Sequence, residues 1–263
     1  MQTFSLATGI QIPALGLGTW ELRGGAQTVS IALGLGYRQI DTSGDYGTQP
    51  AVGKAIRESR VPRDDIFLVT KVEETEDGYE ATKDRLRELG LERADLVLIH
   101  RPPPTGAGES LWEGLIRARQ EGLTREIGVS NYSIEQVDAV TSATGERPAV
   151  NQIEWSPFGH SAAMLRQCRD RDVLIQAYSP LTRTERLDDP VLAGIGDGHA
   201  KTPAQVLIRW NIQLGTNPLP KASTREHLEE NIAVFDFELS DDEMDRLSGL
   251  NERYSALAGL AYA

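Results

Sequence analysis

Eight short apolar runs alternate with eight amphipathic stretches along this chain, and that alternation restricts its fold more than any other feature. The runs occupy residues 14–17, 38–41, 66–71, 96–100, 126–130, 150–154, 173–178 and 217–220. The stretches at 26–33, 51–59, 79–89, 111–120, 134–143, 162–171, 203–213 and 225–234 carry apolar residues at helical spacing. Strand and helix in strict alternation is the pattern of a parallel sheet, because parallel neighbours need a crossover long enough to hold a helix. Eight such units in 263 residues fit a sheet closed on itself, so the sequence predicts an α/β fold, a (β/α)8 barrel forming a single domain over residues 1–263. Residues 4–6 and 10–12 flank Thr8-Gly9 and read as an N-terminal β-hairpin, placed as a plug under the barrel floor.

Several helix starts carry their own signals. Ser133 precedes Ile134 with Gln136 three positions on, which is a capping-box pattern. Thr202 precedes Pro203, and Thr224 precedes Arg225, each in an N-cap role.

The runs end on polar residues. The second ends at Asp41, the third at Lys71, the fourth at His100 and the fifth at Ser130-Asn131. The sixth carries Gln152 and Glu154, the seventh ends at Tyr178-Ser179, and the eighth leads into Lys221. In a barrel of this kind the C-terminal strand ends form the active-site face. Ser, Asn and Asp at such points serve helix capping equally well. A lysine or histidine closing a run such as Phe67-Leu68-Val69-Thr70-Lys71 does not, because desolvating a charge is costly.

Asp41, Tyr46, Lys71 and His100 together suit the reduction of a carbonyl. That reaction needs a hydride donor and an acid for the developing alkoxide. A tyrosine, with a reference pKa of about 10, is a weak acid near neutrality. A neighbouring lysine cation favours its phenolate. An aspartate keeps the lysine charged and in place, and a histidine can orient the carbonyl oxygen.

Over nearly its full length the chain resembles the aldo-keto reductase superfamily. The resemblance rests on Asp41-Thr42-Ser43-Gly44-Asp45-Tyr46-Gly47, on Lys71, on Leu98-Ile99-His100 and on Gly128-Val129-Ser130-Asn131. It continues through Asn151-Gln152, Ala177-Tyr178-Ser179-Pro180-Leu181 and Pro220-Lys221. It implies NAD(P)H-dependent reduction of aldehydes or ketones, with Tyr46 as general acid, Lys71 and Asp41 tuning it, and His100 binding the substrate carbonyl. It implies that Ser130, Asn131 and Gln152 hold the nicotinamide carboxamide and that Tyr178 stacks on the ring. Gly18, Thr19, Asp41, Ser179 and Leu181 join them along the cofactor. Lys221, Ser223, Arg225, His227, Glu230 and Asn231 fall in the stretch that grips the adenosine end. Trp20 lines the substrate pocket, and no metal is implied.

The chain departs from the family pattern in several places. Glu73 stands two residues after the lysine, where an aromatic is common, and Arg101 stands where a tryptophan often follows the histidine. A charge left alone in a cleft is costly, so Glu73 and Arg101 are expected to pair across the pocket mouth. Ala222 and His227 replace the serine and arginine that help clamp the 2′-phosphate of NADPH. NADP(H) is therefore the expected cofactor, with NAD(H) accepted as well. Short loops after His100 and Leu181, and a brief tail at 255–263, imply an open pocket, as in microbial members resembling diketogluconate reductases.

The remaining signals are bland. Gly16-Leu17-Gly18 and Gly34-Leu35-Gly36 fail to complete GxGxxG and read as tight turns. His160 and His199 read as loop residues without acidic partners, and Trp112 and Trp210 as core. A formal net charge of −12 repels a phosphate backbone, which argues against a nucleic-acid partner. Cys168 is the sole cysteine, and no basic-then-apolar leader or membrane-length apolar run occurs, so a cytoplasmic protein, favoured as a monomer, is expected. Two other functions compete: a nicotinamide-sensing module, like the channel-associated subunits on the same fold, and a barrel hydrolase using Asp41 with Glu154. The hydrolase leaves the tyrosine and lysine without a role.

Overall fold

The computed structural model describes residues 2–257, 259 and 260. The chain opens with a hairpin of β1 (Thr3–Ser5) and β2 (Gln11–Pro13), paired antiparallel. Gly9 turns it at φ 84°, a conformation open to glycine.

Eight parallel strands follow: β3 (Leu17–Gly18), β4 (Gln39–Asp41), β5 (Phe67–Val72), β6 (Ala94–Ile99), β7 (Thr124–Ser130), β8 (Val150–Glu154), β9 (Leu174–Tyr178) and β10 (Asn217–Pro218). Each pairs with its sequence neighbour. The ring closes where Gly16 N donates to Pro218 O and Gly18 N to Pro220 O, both at 3.1 Å. These two glycines are thus not turn residues, as the sequence suggested. A Cβ on Gly18 would stand 2.9 Å from Leu219 O, and one on Gly16 would stand 2.5 Å from the Leu219 side chain. Glycine is needed there so that the first and last strands can touch. Gly36 does make a turn, capping the first helix at φ 105°.

The helices are α1 (Gly25–Leu35), α2 (Gln49–Glu58), α3 (Gly78–Leu89), α4 (Glu109–Gln120), α5 (Ile134–Thr144), α6 (Ala162–Asp170), α7 (Pro190–His199), α8 (Pro203–Gln213), α9 (Arg225–Ile232) and α10 (Asp241–Ser248). The capping box at Ser133–Gln136 forms as its spacing predicts, and Thr202, read as an N-cap, forms a second box with Gln205. Helices α7 and α10 were not expected. Gly194, Gly196 and Gly198 thin the apolar pattern of α7, while α10 carries a readable Ser240–Glu243 capping box.

Side chains alternate across each strand, so the inward rows can be read two residues at a time. Phe67, Val69, Leu96, Leu98 and Val150 fill the lower interior against Leu6 and Ile12 of the hairpin. The plug reading of the hairpin therefore holds. Residues of the opposite parity, such as Leu68, Val97 and Ile153, pack outward in the clusters shared with the helices. Burial of both faces is why these strands read as continuous apolar runs. Above the apolar floor lies a layer of buried amides. Gln39 and Gln176 both donate to Asn217 Oδ1, at 2.9 and 2.8 Å, and Asn217 Nδ2 donates to Pro13 O at 2.8 Å. One further step along the inward rows brings Asp41, Lys71, His100 and Tyr178 to the mouth. Among the described residues, no helix is long and apolar enough to cross a membrane.

Candidate active site

Lys71 is fully buried at the top of the β5 inward row. Its ammonium donates to Asp41 Oδ1 and Oδ2 at 2.8 and 3.0 Å and to Thr42 O at 3.0 Å. The third bond points at the chain that leaves β4, which carries Tyr46 in a 3₁₀ turn over Gly44–Tyr46. Hydroxyl contacts from Thr48 to Thr19 (3.1 Å) and Thr42 (3.0 Å) pin that loop, and Gly47 ends it at φ 66°. The Arg85 guanidinium lies against Gly44, where a Cβ would collide with it.

The Lys71 ammonium lies 4.9 Å from the centroid of the Tyr46 ring. Burial pushes the phenol above its ordinary value; the lysine charge opposes that shift, and Asp41 adds to it. The net direction is upward, so the lysine moderates the burial effect without reversing it. Burial likewise disfavours the charge of Lys71, but Asp41 and Tyr46 outweigh it and raise its pKa.

His100 stands edge-on to Tyr46, with ring centroids 5.7 Å apart. Its Nδ1 lies 2.9 and 3.0 Å from the two Glu73 oxygens and 3.6 Å from Asp45 Oδ2. Arg101 approaches Asp45 at 3.2 Å, and Glu73 only at 3.7 Å. The expected Glu73–Arg101 pair is thus a secondary contact. Glu73 sits beside the histidine, and the guanidinium, half-exposed, spreads over Asp45, Glu73 and Glu74.

A cavity of about 480 Å³ opens here. Asp41, Tyr46, His100, Arg101, Trp20 and Tyr178 line it. Ser130, Asn131, Gln152, Ser179 and Leu181 also face it, as do Gly18, Thr19 and Lys221. The inner wall is tightly bonded: Tyr178 Oη donates to Asn131 Oδ1 at 2.8 Å, Asn131 Nδ2 to His100 O at 3.1 Å, and Gln152 Nε2 to Asp41 Oδ2 at 2.8 Å. Asn131 adopts φ 63°, which turns its side chain back toward the cavity.

Ser223, Arg225, His227, Glu230 and Asn231 do not line this cavity; they lie at and along α9, past Lys221. Arg225 and His227 are exposed, while Asn231 is buried. Ser223 Oγ accepts from Arg23 N at 3.1 Å, and Glu230 accepts from Thr202 Oγ1 at 2.5 Å.

A model of the aldo/keto reductase family matches residues 14–252. The chain is 40% identical over 255 residues to an aldo-keto reductase of Mycobacterium sp. (strain MCS), covering 94% of this chain and 90% of the relative. The chain belongs to the aldo/keto reductase family. A solved aldo/keto reductase from Brucella melitensis superposes with a TM-score of 0.91 at 36% identity, covering 95% of this chain and 98% of the other. The Bombyx mori aldo-keto reductase, solved in complex with NADP, gives 0.91 at 30% identity, covering 97% and 94%. The chain is thus an NAD(P)H-dependent oxidoreductase on a (β/α)8 barrel.

Against this aldo/keto reductase frame, several side chains escaped the sequence reading. Asp45 lies one residue before Tyr46 yet carried no separate signal. Arg183 stacks 4.7 Å over Trp20 and reaches Glu21 at 3.2 Å, and Leu257 brings the tail to the cavity. Of that tail, residues 258 and 261–263 lie outside the described residues. Glu154 binds Ser255 Oγ and Ala256 N, both at 2.6 Å, so it holds the tail. Asp41 is likewise committed to Lys71, which leaves the hydrolase reading no free carboxylate pair. His199 ends α7 and contacts Glu243 at 2.9 Å, so it does have an acidic partner, whereas His160 is a loop residue, as expected, its ring centroid 5.2 Å from that of Trp210. Trp112 and Trp210 are core, as expected, and so is Trp155.

Proposed function

We propose that this enzyme reduces small aldehydes and ketones to alcohols, with Tyr46 giving the proton to the carbonyl oxygen. The observation that carries the reading is the convergence of Tyr46 and His100 on one cavity, with a fully buried Lys71–Asp41 pair behind them. A raised phenol pKa keeps Tyr46 protonated near neutral pH, so the proton is available when charge develops on the substrate oxygen. The Lys71 ammonium then stabilises the phenolate that remains. Asp41 holds that ammonium in place, and His100 orients the carbonyl.

The cavity suits a nicotinamide dinucleotide. Its inner end offers Ser130, Asn131 and Gln152 as hydrogen-bonding groups for a neutral carboxamide, beside the Tyr178 ring. Lys221 lines the cavity, and past Lys221 lies the exposed start of α9, whose helix dipole favours an anion. The bound cofactor supplies the hydride. Lys221, Arg225, Ser223 and Thr224 offer a basic setting for the 2′-phosphate of NADPH, while the exposed imidazole of His227 gives weaker anchorage than a permanently charged fork. NADPH is therefore preferred, with NADH also used.

Tyr46→Phe is the direct test. Aldehyde-dependent oxidation of NADPH should fall by a factor on the order of 100 or more, the scale of a lost general acid, while cofactor binding persists. Near-normal turnover by a folded Tyr46→Phe protein defeats the assignment.

A further inference from the structure

The ring of His100 has an unequal pair of nitrogens. Nδ1 faces Glu73 at 2.9 and 3.0 Å, and Asp45 Oδ2 stands behind at 3.6 Å. The ring lines the cavity and stands edge-to-face with Tyr46, their centroids 5.7 Å apart. The other charged groups nearby are Arg101, spread over the same acids, and Lys71, which sits behind Tyr46. Asn131 bonds only the backbone oxygen of His100, at 3.1 Å, and leaves the ring alone.

We infer that Glu73 is a positioning residue that fixes a proton on Nδ1 of His100, so that Nε2 can donate to a substrate oxygen only when the ring is an imidazolium. An ionised carboxylate can only accept hydrogen bonds, so the nitrogen facing it must carry the hydrogen. In the neutral ring the second nitrogen then presents a lone pair. A carbonyl oxygen placed against that lone pair is repelled. In the imidazolium both nitrogens donate, and the carbonyl is gripped. Burial works against the charge on Glu73, but the hydrogen bond and charge of His100, with Arg101, hold its carboxyl below the ordinary value of 4.5. The acceptor is thus ionised near neutral pH. The inference rests on the carbonyl-reduction reading above, because it assigns His100 a substrate oxygen.

Two measurements test it, the first without substrate. The chain has 4 histidines, so nitrogen-15 correlation spectra of the free protein can resolve His100. The neutral form of His100 is expected as the Nδ1–H tautomer, and Glu73→Gln, whose amide can donate to Nδ1, is expected to shift it to Nε2–H. An Nε2–H tautomer in the unmodified protein overturns the inference even if aldehydes are turned over normally. The second measurement is the pH profile of kcat/KM for aldehyde reduction. The unmodified enzyme should lose about tenfold per pH unit as the imidazolium is lost, the slope of a single essential proton. In Glu73→Gln the neutral ring can donate from Nε2, so the decline should flatten. Two units past the break, the variant should exceed the unmodified enzyme by more than tenfold in kcat/KM, a gain that mere structural damage cannot produce. Parallel profiles, or an undiminished slope displaced to lower pH, overturn the tautomer role. Tyr46 does not confuse the reading, since its own proton is lost above its ordinary value of 10.0. Absence of turnover with any carbonyl would instead defeat the functional reading, and the tautomer measurement would still decide the state of His100.

Discussion

Replacing Lys71 with methionine separates the two tasks of this side chain. The ammonium is fully buried and has three acceptors, at 2.8, 3.0 and 3.0 Å. Lys71→Met keeps the apolar stem but leaves the Asp41 carboxylate buried, with Gln152 as its remaining side-chain donor. Breaking a buried pair from one side costs about 3–5 kcal/mol, because the surviving charge has lost its partner. Pairing Lys71→Met with Asp41→Leu removes that charge as well, so the double variant should recover much of the loss. Urea denaturation of the four proteins yields the coupling energy. For the chemistry, a unit charge about 5 Å from the centre of the phenolate ring, at an effective dielectric constant of about 20, is worth roughly 3 kcal/mol. Loss of that term should lower kcat on the order of a hundredfold. The pH dependence has a definite sign. The lysine pKa is raised in the folded state above its ordinary 10.5, so its contribution is complete below that pH and fades as pH rises through the folded value. The stability gap between the unmodified protein and Lys71→Met should therefore narrow only in strong alkali. A gap below about 1 kcal/mol at neutral pH, or a kcat within threefold of normal, would refute the reasoning.

Two further predictions concern cofactor choice and packing. His227→Arg should tighten NADPH by about 10- to 150-fold, the worth of a charged hydrogen bond at roughly 1.5–3 kcal/mol, and leave NADH nearly unchanged; calorimetric dissociation constants with an unmoved NADPH-to-NADH ratio would exclude the position from cofactor choice. Gly128→Ala places a Cβ 2.6 Å from Val150 O and 2.7 Å from Leu98 Cδ2 and should cost about 1–3 kcal/mol, whereas Gly194→Ala, open on all sides within α7, should stabilise by about 0.5–1 kcal/mol. Urea midpoints that move the same way for both variants would contradict the packing account.

The barrel was legible in the sequence because both faces of its strands are buried, which writes each strand as an apolar run that stops at the mouth. Asp41, Lys71 and His100 were legible for the same reason: each is the polar end of an apolar row. The pairing within the site was less legible. Glu73 and Arg101 are of opposite charge and both lie near the mouth, but sequence spacing cannot show that His100 Nδ1 lies nearer to Glu73 than the guanidinium does. Gly16 and Gly18 were misread because a turn and a close strand approach both call for glycine, and only the contact with Leu219 separates them. The amide layer could have been read, since Gln39 stands two residues before Asp41 and Gln176 two before Tyr178, on the same inward rows. Helix α7 escaped because its glycines dilute the 3.6-residue period on which such a reading depends.

The amide layer also has a handedness of donation. At the mouth it meets the Asp41 carboxylate, ionised against Lys71, and at the floor the carbonyl of Pro13, and each of these can only accept a hydrogen. Gln152 must therefore turn its nitrogen toward Asp41, and Asn217 must turn its nitrogen toward Pro13. Gln152 Nε2 also gives to the oxygen of Gln176, whose own nitrogen gives to Asn217 Oδ1, so every amide between the two ends is oriented by parity. Flipping any one of them would set two donors or two acceptors against each other somewhere along the line. The charge at the mouth thus settles which way amides point deep inside the barrel, and the interior has one arrangement of its hydrogens where an unanchored row of amides would have two.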